Sequence, residues 1–99
     1  MENYKLELMQ EFENIQYQKM FEINIVEDFE AEPEYYLFHL DIDEKGIYAG
    51  SVTNCGFYAI NGLFVEWDEY YSLDEHLFLL HEYCREWAIE DFEKSLEHK

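Results

Sequence analysis

Residues 72–96 have the sequence SLDEHLFLLHEYCREWAIEDFEKSL, and this stretch predicts the longest helix of the chain. It opens on a capping box, because the Ser72 hydroxyl can accept the backbone N–H of Glu75 while the Glu75 side chain returns to the Ser72 N–H. An apolar stripe at helical spacing follows and needs a second layer to cover it. The stripe consists of Leu73, Leu77, Leu80, Cys84 and Trp87, and Ile89, Phe92 and Leu96 are expected to extend its burial.

The residues before this helix alternate with a period of two, which is typical of strands that are buried on one side. The turn Asp43–Gly46, with Gly46 able to take a positive φ, and the turn Asn54–Gly56 predict hairpins. Asn61-Gly62 is the strongest short-range hairpin signal in the chain. The predicted strands are Phe21–Ile25, Tyr35–Asp43, Ile47–Thr53, Phe57–Ile60 and Leu63–Trp67.

The N-terminal segment predicts a second amphipathic helix, from about Glu2 to Met20, because Leu8, Phe12 and Ile15 recur at helical spacing. Short turns make the intervening sheet antiparallel. The predicted fold is therefore α+β: an N-terminal helix, an antiparallel meander of about five strands and a C-terminal helix, with both helices on one sheet face. Ninety-nine residues suit a single domain, 1–99.

The charge is strongly one-sided. Twenty-four Asp and Glu stand against six Lys and Arg, a formal net charge of −18. Aromatic residues make up 19% of the chain, whereas acidic disordered tails are poor in aromatics, so we expect a folded domain. Direct binding to DNA or RNA is disfavoured, because phosphate contacts require Lys and Arg.

Part of this charge is predicted to form a row along the last helix. Each pair of like charges four residues apart destabilises a helix by roughly 0.2–0.5 kcal/mol, and glutamates near a helix C-terminus also interact unfavourably with the helix dipole. A repeated cost of this kind favours a binding surface, and a merely solvated acidic face is the alternative interpretation. The row consists of Glu82, Glu86, Glu90, Glu93 and Glu97; Glu27, Asp28, Glu30, Glu32 and Glu34 in a loop, with Asp68 and Glu69, could extend it.

These features predict a non-enzymatic binding protein whose acids pair with a basic protein, one that normally binds nucleic acid. In composition, though in no alignable motif, the chain resembles the small acidic nucleic-acid mimics that phages and mobile elements use against host enzymes. The resemblance implies inhibition by competition for the partner's nucleic-acid site. An alternative is an immunity or inhibitor protein for a basic toxin, with Tyr70 and Tyr71 as aromatic contacts for an incoming arginine.

Two further alternatives remain open. Asp41 and Asp43, with Glu44, could form a loose cation site, although Lys45 and Val52 rule out an EF-hand loop and a hairpin turn explains these residues better. The uncharged stretch Gly46–Val65 could instead support an assembly subunit such as a homodimer.

We expect no catalytic residue, no bound metal and no cofactor, because no motif for them rises above chance. Cys84 lies on the apolar stripe and is expected to be a buried hydrophobe rather than a zinc ligand with His81. The N-terminus lacks a basic and an apolar region, and turn residues interrupt Gly46–Val65, so we expect a cytoplasmic protein with free thiols and no membrane span.

Overall fold

The computed structural model describes residues 2–15, 19–25 and 34–97. Within them the chain forms a helix, four strands and a long second helix, which confirms the predicted α+β order. The sheet is antiparallel throughout, with strand order β1-β2-β3-β4. The elements are α1 (Asn3–Asn14), β1 (Met20–Asn24), β2 (Tyr35–Ile42), β3 (Gly46–Thr53), β4 (Gly56–Glu66) and α2 (Leu73–Glu97).

The prediction of about five strands was wrong, because Asn61-Gly62 does not reverse the chain. Residues on both sides of this dipeptide pair with β3: Ala59 is opposite Gly50, and Phe64 is opposite Tyr48. Both halves of β4 therefore pair with the same strand, which requires β4 to continue in one direction through Asn61-Gly62. The dipeptide lies in the register shift between these pairs, where Gly62 adopts a φ of 91°. A glycine at positive φ is characteristic of one type of β-bulge, in which a strand accommodates extra residues.

Two other sequence predictions also needed correction. Gly46 does not take a positive φ; it lies in β3, where an added Cβ would collide with the backbone oxygen of Val65. The first helix ends at Asn14 rather than near Met20. By Lys19 the chain has already joined the sheet, since the Lys19 carbonyl accepts the Leu40 N–H at 2.9 Å.

Both helices pack on the sheet and share one buried cluster with it. Helix α1 contributes Leu8 and Phe12 to this cluster, and α2 contributes the residues of its apolar side. Trp87 of α2 meets the rings of Tyr36 and Phe38 edge-on, at 6.2 and 5.7 Å. The buried residues of α2 are Leu73, His76, Leu80, Cys84 and Ala88.

Burial on α2 fades after Ala88, since no later residue of the helix is fully buried. Leu96 is 49% exposed, so its expected burial was wrong. Asp91 still contacts the sheet, since its carboxylate accepts the Tyr36 hydroxyl at 2.8 Å. Burial, followed by this hydrogen bond to a carboxylate, raises the pKa of Tyr36 to about 12.

No helix within the described residues has the length and apolar character needed to cross a bilayer.

The opposite face of the sheet is less polar than an exposed sheet face usually is. Side chains that alternate with the buried Phe38 and Leu40 point to this face and lie largely in solvent. The exposed apolar residues there include Met20, Tyr35, Leu37 and Val52. Val52 belongs to the uncharged stretch Gly46–Val65, and self-association through that stretch stays a prediction.

Truncating Leu80 tests whether burial of α2 holds the fold together. Leu80 is fully buried, so Leu80→Ala should lower the free energy of unfolding by about 2–5 kcal/mol through lost transfer energy and a cavity. Urea denaturation followed by circular dichroism measures this loss. Leu96→Ala on the same helix is the control, and it should change stability by no more than about 0.5 kcal/mol.

Candidate functional site

The segment between β4 and α2 is an ordered turn that starts from Trp67 and Asp68. Its backbone is held by Asp68, whose carbonyl accepts the Tyr71 N–H at 3.2 Å and whose carboxylate accepts the Tyr70 N–H at 2.8 Å. The Trp67 indole N–H donates to the carbonyl of Asp43 at 2.8 Å, which ties the turn to the β2–β3 hairpin. Local hydrogen bonds therefore fix the direction in which the turn presents its side chains.

His76 locks this turn onto the first part of α2. The side chain is completely buried, and its Nε2 accepts the Asp68 N–H at 2.9 Å. Its Nδ1 lies 2.7 Å from the Ser72 carbonyl oxygen. An acceptor at Nε2 and a donor at Nδ1 require the neutral tautomer protonated on Nδ1. The rings of Trp67 and Tyr71 pack edge-on against the imidazole, at 5.3 and 5.8 Å.

The predicted capping box is confirmed in the same place. The Glu75 N–H donates to the Ser72 hydroxyl oxygen at 3.1 Å, and the Glu75 carboxylate accepts the Ser72 N–H at 3.4 Å. The same carboxylate oxygen lies 3.2 Å from the Ser72 hydroxyl. Helix α2 thus begins at a position that both the cap and His76 determine.

Three aromatic rings are exposed around this locked start of α2. Tyr70 is 84% exposed, Tyr71 is 41% exposed and Phe78, on the first turns of α2, is 64% exposed. Tyr71 and Phe78 line a groove of about 510 Å³. Phe78 was missed by the sequence analysis, although its position off the apolar stripe was a signal that could have found it. The remaining lining residues are Asp74, Glu75 and Leu79.

The five glutamates of the predicted row are all exposed. At 100° per residue they fall in a sector of about 80° on the side of α2 turned away from its buried residues. Glu75 falls in the same sector and extends the row toward the groove. From Glu75 to Glu97 the row is about 33 Å long, at 1.5 Å per residue.

The other acidic residues predicted for the site differ in their exposure and in their role. Glu69 and Glu34 are exposed, whereas Asp68 is half-buried and its carboxylate supports the turn. The Ile25 N–H donates to the Glu34 carbonyl at 3.0 Å, so the described ends of the acidic loop are joined. Glu27, Asp28, Glu30 and Glu32 lie outside the described residues.

Asp43 acts as a turn residue. Its carboxylate accepts the backbone N–H groups of Lys45 and Gly46, at 2.7 and 3.2 Å, which closes the β2–β3 hairpin. Across residues 2–15, 19–25 and 34–97, no group of three His, Cys, Asp or Glu side chains could hold a metal ion.

The two cysteines are free thiols in different environments. Cys84 is completely buried, as its place on the stripe predicted, and burial raises its pKa to about 12. Cys55 is exposed on the β3–β4 turn.

Comparison of the chain with protein-family models, with curated proteins and with solved structures found no match in any of the three.

Replacing His76 tests whether it holds the turn. In His76→Leu the side chain stays buried, but the Asp68 N–H loses its acceptor, and leaving such a group unpaired costs about 1–3 kcal/mol. We expect urea denaturation to show a loss in this range. Hydrogen exchange should also become faster at Asp68 and Tyr71. Unchanged exchange at both amides would show that His76 does not hold the turn.

Proposed function

We propose that this chain is a non-enzymatic acidic binding protein that occupies the basic, nucleic-acid-binding surface of a partner protein. The observation that carries the proposal is the exposed carboxylate row of α2, Glu75 to Glu97, on the side of the helix opposite its buried residues. A partner that normally binds phosphates presents the Lys and Arg side chains that such a row would meet.

The distribution of charge on α2 supports a role in binding. Glutamates four residues apart repel each other, and Glu93 and Glu97 stand where the helix dipole disfavours negative charge. A basic partner would remove this repulsion. The chain's negative field would also attract a basic partner from a distance and so speed encounter.

The spacing of the row agrees in part with a nucleic-acid backbone. Row members four residues apart are about 6 Å apart along the helix axis, whereas phosphates on one strand of duplex DNA follow every 3.4 Å or so. One row is therefore sparser than one strand. Mimicry of a nucleic-acid strand would therefore need further acidic residues. Glu69 lies on the turn just before α2. Glu34 lies at the end of the β1–β2 connection, near Tyr36 and Asp91.

A second candidate function is inhibition of, or immunity to, a basic toxin. The observation that favours it is the set of exposed rings on a turn that is already ordered, since aromatic anchors dominate many tight interfaces. This candidate needs the rings more than the row. Substitution of Tyr70 or Tyr71 by alanine would then weaken binding more than removal of charge from α2.

Neutralising part of the row tests the first proposal. The variant Glu82→Gln, Glu86→Gln and Glu90→Gln removes three exposed charges without altering the buried side of α2. Basic proteins captured at low salt by the wild-type chain would be purified, and displacement of a fluorescent duplex from each would be measured by anisotropy. We expect wild-type displacement to weaken steeply with salt, and the triple variant to require at least about tenfold more protein.

The control removes equal charge from another place. Glu7→Gln, Glu11→Gln and Glu13→Gln change three exposed glutamates of α1 and should leave displacement within about twofold of wild type. An equal loss in both triple variants would mean that net charge alone drives binding. Full displacement by the α2 variant would contradict the role of the row.

A further inference from the structure

We propose that the groove between Tyr71 and Phe78 accepts an arginine side chain of the partner and so supplies the specific anchor of the complex. This inference rests on the proposed function, since it names the group that the basic partner inserts. The groove is about 510 Å³ in volume, which is ample for one guanidinium group and its stem.

The walls of the groove suit a flat cation. Tyr71 and Phe78 offer aromatic rings, and Leu79 adds an aliphatic surface. A guanidinium group stacks on aromatic faces and is less strongly hydrated than an ammonium group, so it loses less on entering an apolar groove. The three-methylene stem of arginine would cover the exposed part of Phe78.

The rim of the groove supplies the opposite charge. Asp74 and Glu75 line it directly, and Glu82 stands one turn beyond Phe78 on α2. One carboxylate oxygen of Glu75 already accepts the Ser72 N–H in the capping box. Asp74 takes no part in that cap, so its carboxylate is more available to a guanidinium group. An anion would be repelled here, and a purely apolar group would gain nothing from the carboxylates.

The groove is also held in shape before any partner arrives. Tyr71 packs on the buried His76, and the Tyr71 N–H donates to the Asp68 carbonyl. Phe78 stands on α2, whose neighbouring Leu80 is completely buried. Binding would therefore order few groups on this side, which leaves more of the contact energy for affinity.

Peptide titration tests the anchor separately from the carboxylate row. Acetyl-Gly-Arg-Gly-amide and acetyl-Gly-Lys-Gly-amide carry one positive charge each, so charge attraction alone treats them alike. We expect the arginine peptide to shift the ring resonances of Tyr71 and Phe78 in NMR spectra, with about two- to fivefold tighter binding than the lysine peptide. Phe78→Ala should abolish that preference.

Tyr83→Ala is the control for Phe78→Ala, because Tyr83 is also an exposed aromatic residue of α2 but does not line the groove. It should keep the arginine preference, and amide spectra would verify that both variants fold. Equal binding of the two peptides, or an arginine preference that survives Phe78→Ala, would overturn the anchor. Duplex displacement by the wild-type chain does not require the arginine preference, so it can still succeed when the anchor fails, and a failed anchor is thereby distinguished from a failed proposed function.

Discussion

The rest of the structure depends on how α2 is buried against the sheet. One side of this helix, around Leu80 and Cys84, has no contact with water, and that burial sets the rotation of the helix about its axis. Once the rotation is set, the glutamates at four-residue spacing have only one direction to point. The packing of the core therefore organises the charge, and a rotation of α2 by about 90° would be needed to bring part of the row against the sheet.

The net charge of −18 opposes folding, because like charges repel each other in the compact state. Burial of apolar and aromatic side chains, rather than many cations, offsets this repulsion. Trp87 packs against Tyr36 and Phe38, and Phe12 of α1 is buried in the same cluster. An ion pair joins Lys19 to Glu13 at 3.5 Å, between exposed side chains where such pairs contribute little. The charge thus has a small part in holding the fold.

The start of α2 joins the two parts of the proposed interface. His76 ties the turn after β4 to the helix, so the aromatic groove and the first carboxylates of the row are held in one rigid frame. A basic surface approaching the row would reach the groove at the same end of the helix. In the proposed complex, the row would supply long-range attraction and the groove would supply a contact of defined shape.

Periodicity predicted the two helices and the burial of Cys84, short turns predicted the antiparallel sheet, and the Ser72–Glu75 spacing predicted the capping box. These are local properties, since a repeat of apolar residues or a cap depends on neighbours within a few positions. The row of glutamates followed from the same local rule. The sequence also placed Tyr70 and Tyr71 beside acidic residues, without showing how they are held.

What only the tertiary structure decided depends on contacts between distant residues. Asn61-Gly62 forms a bulge instead of a hairpin because β3 pairs with both halves of β4, a choice that no short segment contains. His76 holds the turn only because the fold brings its imidazole to the backbone of Asp68, and Phe78 belongs to a site only because Tyr71 is brought beside it. Local spacing assigns residues to elements, whereas the approach of those elements decides which side chains meet.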